Sequence, residues 1–290
     1  SGQLYLLPCP ISEAPALDAL PASTVETARR IDHFLVEAAR TARATLKAMG
    51  HPKPIAELDI VEIGHDPAPE LISEWLQPVL DGADAAVLSE SGCPGVADPG
   101  AQIAARAHEL GIRVVPLTGP SSILLTLMAS GLDGQRFRFS GYLPKHDAER
   151  RAAILAAEKA SRASETQLFI ETPYRNTALL DALLETLAPD TRLTVAIDVT
   201  GQNESIRTLT AAAWKAIPKA MRTLPKLPTV FAFLAKPGKT APRYAPECAG
   251  GKRAHTAPSS KPAVLNNRPK QAYKTHRPEG SPVKTPKGGR

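Results

Sequence analysis

Three carboxylates, one arginine and two thiols stand in Gly/Pro-rich stretches, each following an apolar run of this chain. Glu90, Cys93 and Asp98 fall in SESGCPGVADPG, residues 89–100, after AAVL. Glu171 and Arg175 fall in ETPYR, and Cys9 in PCPI. A carboxylate in such a turn can take a proton from a reacting hydroxyl. Arg175 can grip a phosphate or cap the strand before it. Asp98 also reads as a cap, because Asp-Pro-Gly before a helix is a common helix entry. Glu90 also reads as a solvated loop residue, so no catalytic residue is assigned. Glycines permit close backbone approach to a ligand, and prolines stiffen the loop around it. Four turns of this kind, at PCPI, SESGCPGVADPG, TGPSS and ETPYR, point to one shared cleft.

Several chemistries find no support. There is no GxxxxGK[ST] phosphate loop, no GxGxxG, no HExxH and no GxSxG. The seven histidines are dispersed and the three cysteines too scattered for a zinc site or a disulfide framework, so no metal is expected. A mildly acidic body disfavours a polyphosphate and leaves room for a neutral or cationic nucleoside-like cofactor.

The elements that must position these turns alternate between strand and helix. Strands are predicted at 4–7, 34–36, 59–63, 85–88 and 113–117, with helices at 38–49, 69–80 and 102–110. That order argues for a mostly parallel sheet covered on both faces. Beyond a boundary near Leu117, strands are predicted at 137–141, 167–170, 193–199, 206–209 and 229–234. Helices are predicted at 121–130, 148–159, 177–187 and 211–217. The fold class is α/β, with an N-terminal domain over 1–116 and a C-terminal domain over 117–238. Trp75 is expected in the core, and 147–151 as a solvated helix start.

Charge divides the chain differently. Residues 239–290 hold 12 Lys/Arg against 2 Asp/Glu and 8 of the 28 prolines, while residues 1–238 hold 23 against 27. A basic, proline-rich tail without apolar period is expected to be disordered. It suits contact with polyanions or serves as a solvated extension. With 43% hydrophobic residues a sizeable core is available, and no apolar run reaches membrane-spanning length. No leader is evident, and a cytoplasmic setting without membrane is expected.

Taken in order, LYLLPCPI, SGCPGVADPG, VVPLTGPSS, SGYLPK, ETPYR and DVTGQNE resemble the tetrapyrrole-methylase superfamily of S-adenosylmethionine (SAM) methyltransferases. Within it they are most similar to the bacterial small-subunit ribosomal RNA cytidine 2′-O-methyltransferases. The likeness runs from about residue 4 to residue 234. It implies two α/β domains with SAM in the cleft between them and no metal. It also implies a ribosomal RNA substrate and a homodimer. Position by position, it makes Pro10, Ile11, Cys93, Val96, Ser121, Ser122, Glu171 and Thr172 cofactor-binding residues. Cys9 and Cys93 stand where the family has threonine.

This chain departs from the family pattern in places. TPIGN is PCPIS here, EDTR is Glu37-Ala38-Ala39-Arg40, and ELTK is Asp198-Val199-Thr200-Gly201. These departures keep two alternatives open: a methyltransferase acting on a tetrapyrrole-like small molecule, and a SAM-binding protein without catalysis.

Overall fold

A computed structural model describes residues 2–238; the basic tail lies outside the described residues. The first half is a five-stranded sheet of β1 (Gln3–Leu7), β2 (His33–Val36), β3 (Asp59–Glu62), β4 (Ala85–Leu88) and β5 (Arg113–Pro116). All pairings are parallel, in the order β3-β2-β4-β1-β5. β2 and β4 are buried throughout, as expected for parallel strands covered on both faces. Leu7, Phe34, Val36, Leu46 and Leu88 form one core layer, and Leu4, Leu35, Val87 and Ile103 another.

The helices of this half are α1 (Ala16–Ala19), α2 (Ala22–Ala28), α3 (Ala39–Ala48), α4 (Ile72–Trp75), α5 (Gln77–Leu80) and α6 (Ala101–Glu109). Two expectations are corrected. The single helix predicted over 69–80 is a 3-10 turn at Pro69–Leu71 followed by α4 and α5. Pro78 has no N–H for an intrahelical bond, and its ring crowds the preceding turn. The short helices α1 and α2 went unpredicted; of four and seven residues, they carry too few turns for an apolar period to show in the sequence. Trp75 packs against the core, and its carbonyl oxygen lies 3.2 Å from His33 Nε2.

The second half carries α7 (Ser122–Ser130), α8 (Asp147–Ser161), α9 (Asn176–Thr186) and α10 (Ala211–Ala216). Its strands are β6 (Phe137–Tyr142), β7 (Thr166–Glu171), β8 (Arg192–Ile197), β9 (Ser205–Thr210) and β10 (Thr229–Leu234), in the order β6-β7-β10-β8-β9. Only β6 and β7 are parallel; β10 runs antiparallel to β7 and β8, and β9 to β8. Phe169 and Phe233 stack at 5.6 Å between centroids inside this sheet's core. Burying each such ring contributes about 1.5–3 kcal/mol. The molecule is thus α/β with two sheets. We propose that the halves divide near Leu117, since β5 ends at Pro116 and α7, which packs on β9 and β10, begins at Ser122.

Candidate active site

β1 and β4 are neighbours and parallel, so the turns at their carboxyl ends emerge side by side. Such ends are where open α/β sheets bind ligands. The two turns are themselves paired: Cys9 N donates to Gly92 O at 2.9 Å, and Gly92 N to Cys9 O at 3.2 Å. The TGPSS turn joins them. The Cys93 thiol donates to Pro120 O at 3.4 Å. Gly119 lies against Pro8, where an added Cβ would overlap the proline ring. Three of the four turns singled out from sequence therefore meet.

Opposite them stands the β8–β9 turn of the second half. Asp198 and Thr200 adopt positive φ, +47° and +69°. The Asp198 carboxylate folds over Gly201, where an added Cβ would overlap it. Asn203 N donates to Asp198 Oδ2 at 2.9 Å, and Thr200 N to Glu204 Oε2 at 2.7 Å. Non-glycine residues held at positive φ cost of order 1 kcal/mol and need such surrounding bonds. Ser12 Oγ and Thr200 Oγ1 lie 3.0 Å apart, joining the two halves directly.

Between these turns lies a cavity of about 560 Å³. The first half contributes Pro10–Pro15 with Glu90 and Ser91; the second contributes Asp198, Thr200–Asn203, Leu227 and Pro228. The lining holds Glu13, Glu90 and Asp198 and no Lys, Arg or His. Its volume suits a small organic ligand, and its acids suit a cation.

A network behind the cavity fixes Glu90. Glu37, after β2, accepts from Glu90 N at 2.9 Å through Oε2, and its Oε1 lies 3.0 Å from His65 Nδ1. The Glu90 carboxylate accepts from Thr41 Oγ1 at 2.8 Å. The hydrogen bond between the His65 ring and Glu37 raises the His65 pKa. Asp98 faces a smaller hollow with His65. Burial, then the charge of Glu37, pushes its carboxyl from 3.8 to about 6. It is not the helix cap: α6 is entered through Gly100, at φ +137°, without a side-chain bond. Burial pushes the Cys9 thiol up to about 12 and raises that of Cys93, with Asp98 adding to both.

The residues singled out for a cofactor divide into groups. Pro10 and Ile11 line the cavity. Cys93 stands behind it against Pro120, Ser121 and Ser122 open α7, and Val96 is 47% exposed at the loop tip. Glu171 and Thr172 line a second cavity of about 550 Å³ with Tyr142, Leu143, Lys145 and Arg175. In the sheet β10 lies between β7 and β8, with Thr229 paired to Glu171 on one side and Ile197 on the other. Arg175 neither caps a strand nor stands free: its Nη2 lies 3.4 Å from Glu171 Oε2. The sequence reading missed Ser12, Gln202, Asn203 and the Leu227-Pro228 pair. The Gly-Gln-Asn run after a predicted strand was the available signal for Gln202 and Asn203. Among the described residues no group of acids, cysteines and histidines is arranged to hold a metal.

A family profile described as Tetrapyrrole (Corrin/Porphyrin) Methylases matches residues 16–214. The chain belongs to this family. It is a methyltransferase by that membership, and the family's dependence on SAM implies the same cofactor here. Relatives named "Ribosomal RNA small subunit methyltransferase I" include one from Vibrio cholerae serotype O1, 30% identical over 70% of this chain and 67% of its own. Another, from Mesorhizobium japonicum, is 33% identical over 72% and 68%. The chain spans roughly two thirds of such relatives, from 60% to 71% of their length. Among solved structures, diphthine synthase superposes with a TM-score of 0.56 at 17% identity, over 81% of this chain and 90% of that one. That likeness concerns the fold alone.

Proposed function

We propose that this tetrapyrrole-methylase family member transfers a methyl group from SAM to small-subunit ribosomal RNA, with a ribose 2′-hydroxyl as acceptor. One observation carries the cofactor assignment: the cavity between the halves is acidic and lacks any basic side chain. Bound there, SAM supplies a methyl group on a positively charged sulfur. The residues present fit that group. Glu13, Glu90 and Asp198 favour a cation, backbone carbonyls of the paired turns need no metal, and Ile11, Leu227 and Pro228 offer apolar walls. The same acids disfavour a nucleoside triphosphate. Cys93, Val96, Ser121 and Ser122 remain proposed cofactor contacts on family likeness, while Glu171 and Thr172 line the second cavity.

The chain's work is then alignment and proton transfer. Turns braced by the Cys9–Gly92 pairing hold donor and acceptor in line, and such positioning accounts for much of a two-substrate rate enhancement. A ribose hydroxyl is a poor nucleophile near neutral pH and gains from a base. Of the three carboxylates weighed from sequence, Glu90 alone lines this cavity. Glu171 lines the second cavity beside Arg175, and Asp98 faces the hollow behind. Glu90 is therefore our proposed proton acceptor.

The acceptor assignment rests on the named relatives. Its test is incubation with methyl-labelled SAM and small-subunit RNA from cells lacking the protein. Label retained in a dinucleotide that resists alkaline cleavage supports a ribose 2′-oxygen. Label on a base refutes that position, and label entering only small molecules refutes RNA as substrate.

A further inference from the structure

We propose that the second cavity, together with the turn bearing Tyr174, is a binding subsite for single-stranded RNA next to the methylated nucleotide. This rests on the RNA reading above and deepens it. The backbone builds the site. Between Phe139 and Tyr142 the β6–β7 register shifts, and Gly141 takes φ +64° in open space. A bulge of this kind re-aims the side chain that follows. Tyr142, which ends β6 and pairs with Ile170 beyond the shift, is 61% exposed and lines the cavity. The 3-10 turn Pro173–Arg175 closes the other side. In it Tyr174 is 80% exposed, with Lys226 Nζ 5.1 Å from its ring centroid.

Charge follows the same pattern. The Glu171 carboxylate is buried, accepts from Thr172 N at 2.8 Å and steadies Arg175. One contact at 3.4 Å leaves most of the five guanidinium donors available to a phosphate. Lys145, on the cavity rim, forms no ion pair among the described residues. Lys145 and Arg175 line the cavity with one buried acid, and Lys226 stands over the Tyr174 ring, so this patch is cationic where the first cavity is acidic. Exposed tyrosine rings interleaved with cations suit unpaired nucleotides, whose bases stack on the rings while Lys and Arg meet the phosphates. A double helix offers no free base faces to such rings.

The test uses the full chain and fluorescein-labelled oligouridylate, read by anisotropy at about 0.2 M salt, where loose phosphate contacts are screened. Tyr142→Ala and Tyr174→Ala should each weaken binding about tenfold. Tyr142→Phe and Tyr174→Phe, which keep the ring, should bind like wild type. Lys145→Ala and Lys226→Ala should each reduce the salt slope by about 0.7. SAM affinity, measured on the same proteins, should not change. Equal RNA binding by wild type and both alanine variants overturns the subsite, as does failure of the wild type to bind oligouridylate. Weakened SAM affinity in Tyr142→Ala also overturns it, by reassigning the cavity to the cofactor. Wild-type transfer to small-subunit RNA, assayed alongside, separates the two readings. Transfer with unaffected alanine variants removes only the subsite, whereas binding without transfer removes the RNA methylation reading and leaves the subsite.

Discussion

Glu90 and Asp98 lie in one loop and have different prospects. Glu90 lines the acidic cavity and is held by Thr41 and the Glu37 network. Replacing it with glutamine keeps the size and the Thr41 contact while removing the base. Glu90→Gln should lower kcat by about 10²–10⁴. Calorimetry should show SAM binding weakened far less than that. Asp98 serves as a test of local electrostatics. Its pKa rises from 3.8 to about 6, so the folded state holds its proton more tightly than the unfolded chain does. Between those values stability falls as pH rises, and ionised Asp98 is a cost above about pH 6. Asp98→Asn should melt above wild type near pH 8 and lose that advantage below about pH 4, in paired thermal scans. Equal melting temperatures near pH 8 would contradict the cost of burying an ionised Asp98 within the field of Glu37.

At the scale of elements, the close approach of the TGPSS turn to the first loop is the most demanding packing contact at the cleft. A Cβ on Gly119 would overlap Pro8 Cβ and fall 2.6 Å from its Cγ, and a proline ring cannot swing aside. Gly119→Ala should cost about 1–3 kcal/mol, seen as a lower urea midpoint with an unchanged slope. Such contacts also mark what the sequence could and could not disclose. The buried strands were legible because four apolar residues in a row, as at AAVL, suit little else between turns. The helix pattern at 69–80 was legible as an apolar face, but its break at Pro78 was not weighed against that face. The turns PCPI and SGCPGVADPG were legible as ligand loops, and the pairing of Cys9 with Gly92 brings them together. Glu37 and His65 gave no local sign of their role. Their contact at 3.0 Å depends on β2 and β3 lying side by side, which is a property of the sheet. The ETPYR turn was read as part of the same cleft; it follows β7, two strands from β8 in the sheet, and lines the second cavity.

At the scale of the whole molecule, two fields of opposite sign lie on one chain: an acidic cavity between the halves, and a cationic patch around Tyr142 and Tyr174. The sequence adds a third, the balance of 12 basic to 2 acidic residues over 239–290. Removing those residues should weaken RNA binding at low salt and leave SAM binding unchanged, as read by anisotropy and calorimetry. We also propose a homodimer. Leu124 and Met128 on α7 are 50% and 78% exposed, an apolar face that a second copy would cover. Sedimentation should give twice the 30.8 kDa of one chain, and a monomer mass at micromolar concentration would count against it. The central claim is that the acidic cavity between the halves holds the cofactor. It is tested most directly by calorimetric titration of SAM into the wild type and into Ser91→Arg, which sets a cation on the cavity wall at an exposed loop position. The account predicts saturable binding to the wild type and binding weakened tenfold or more, by about 1.4 kcal/mol or more, in Ser91→Arg. No binding to the wild type, or equal binding to both, would contradict it.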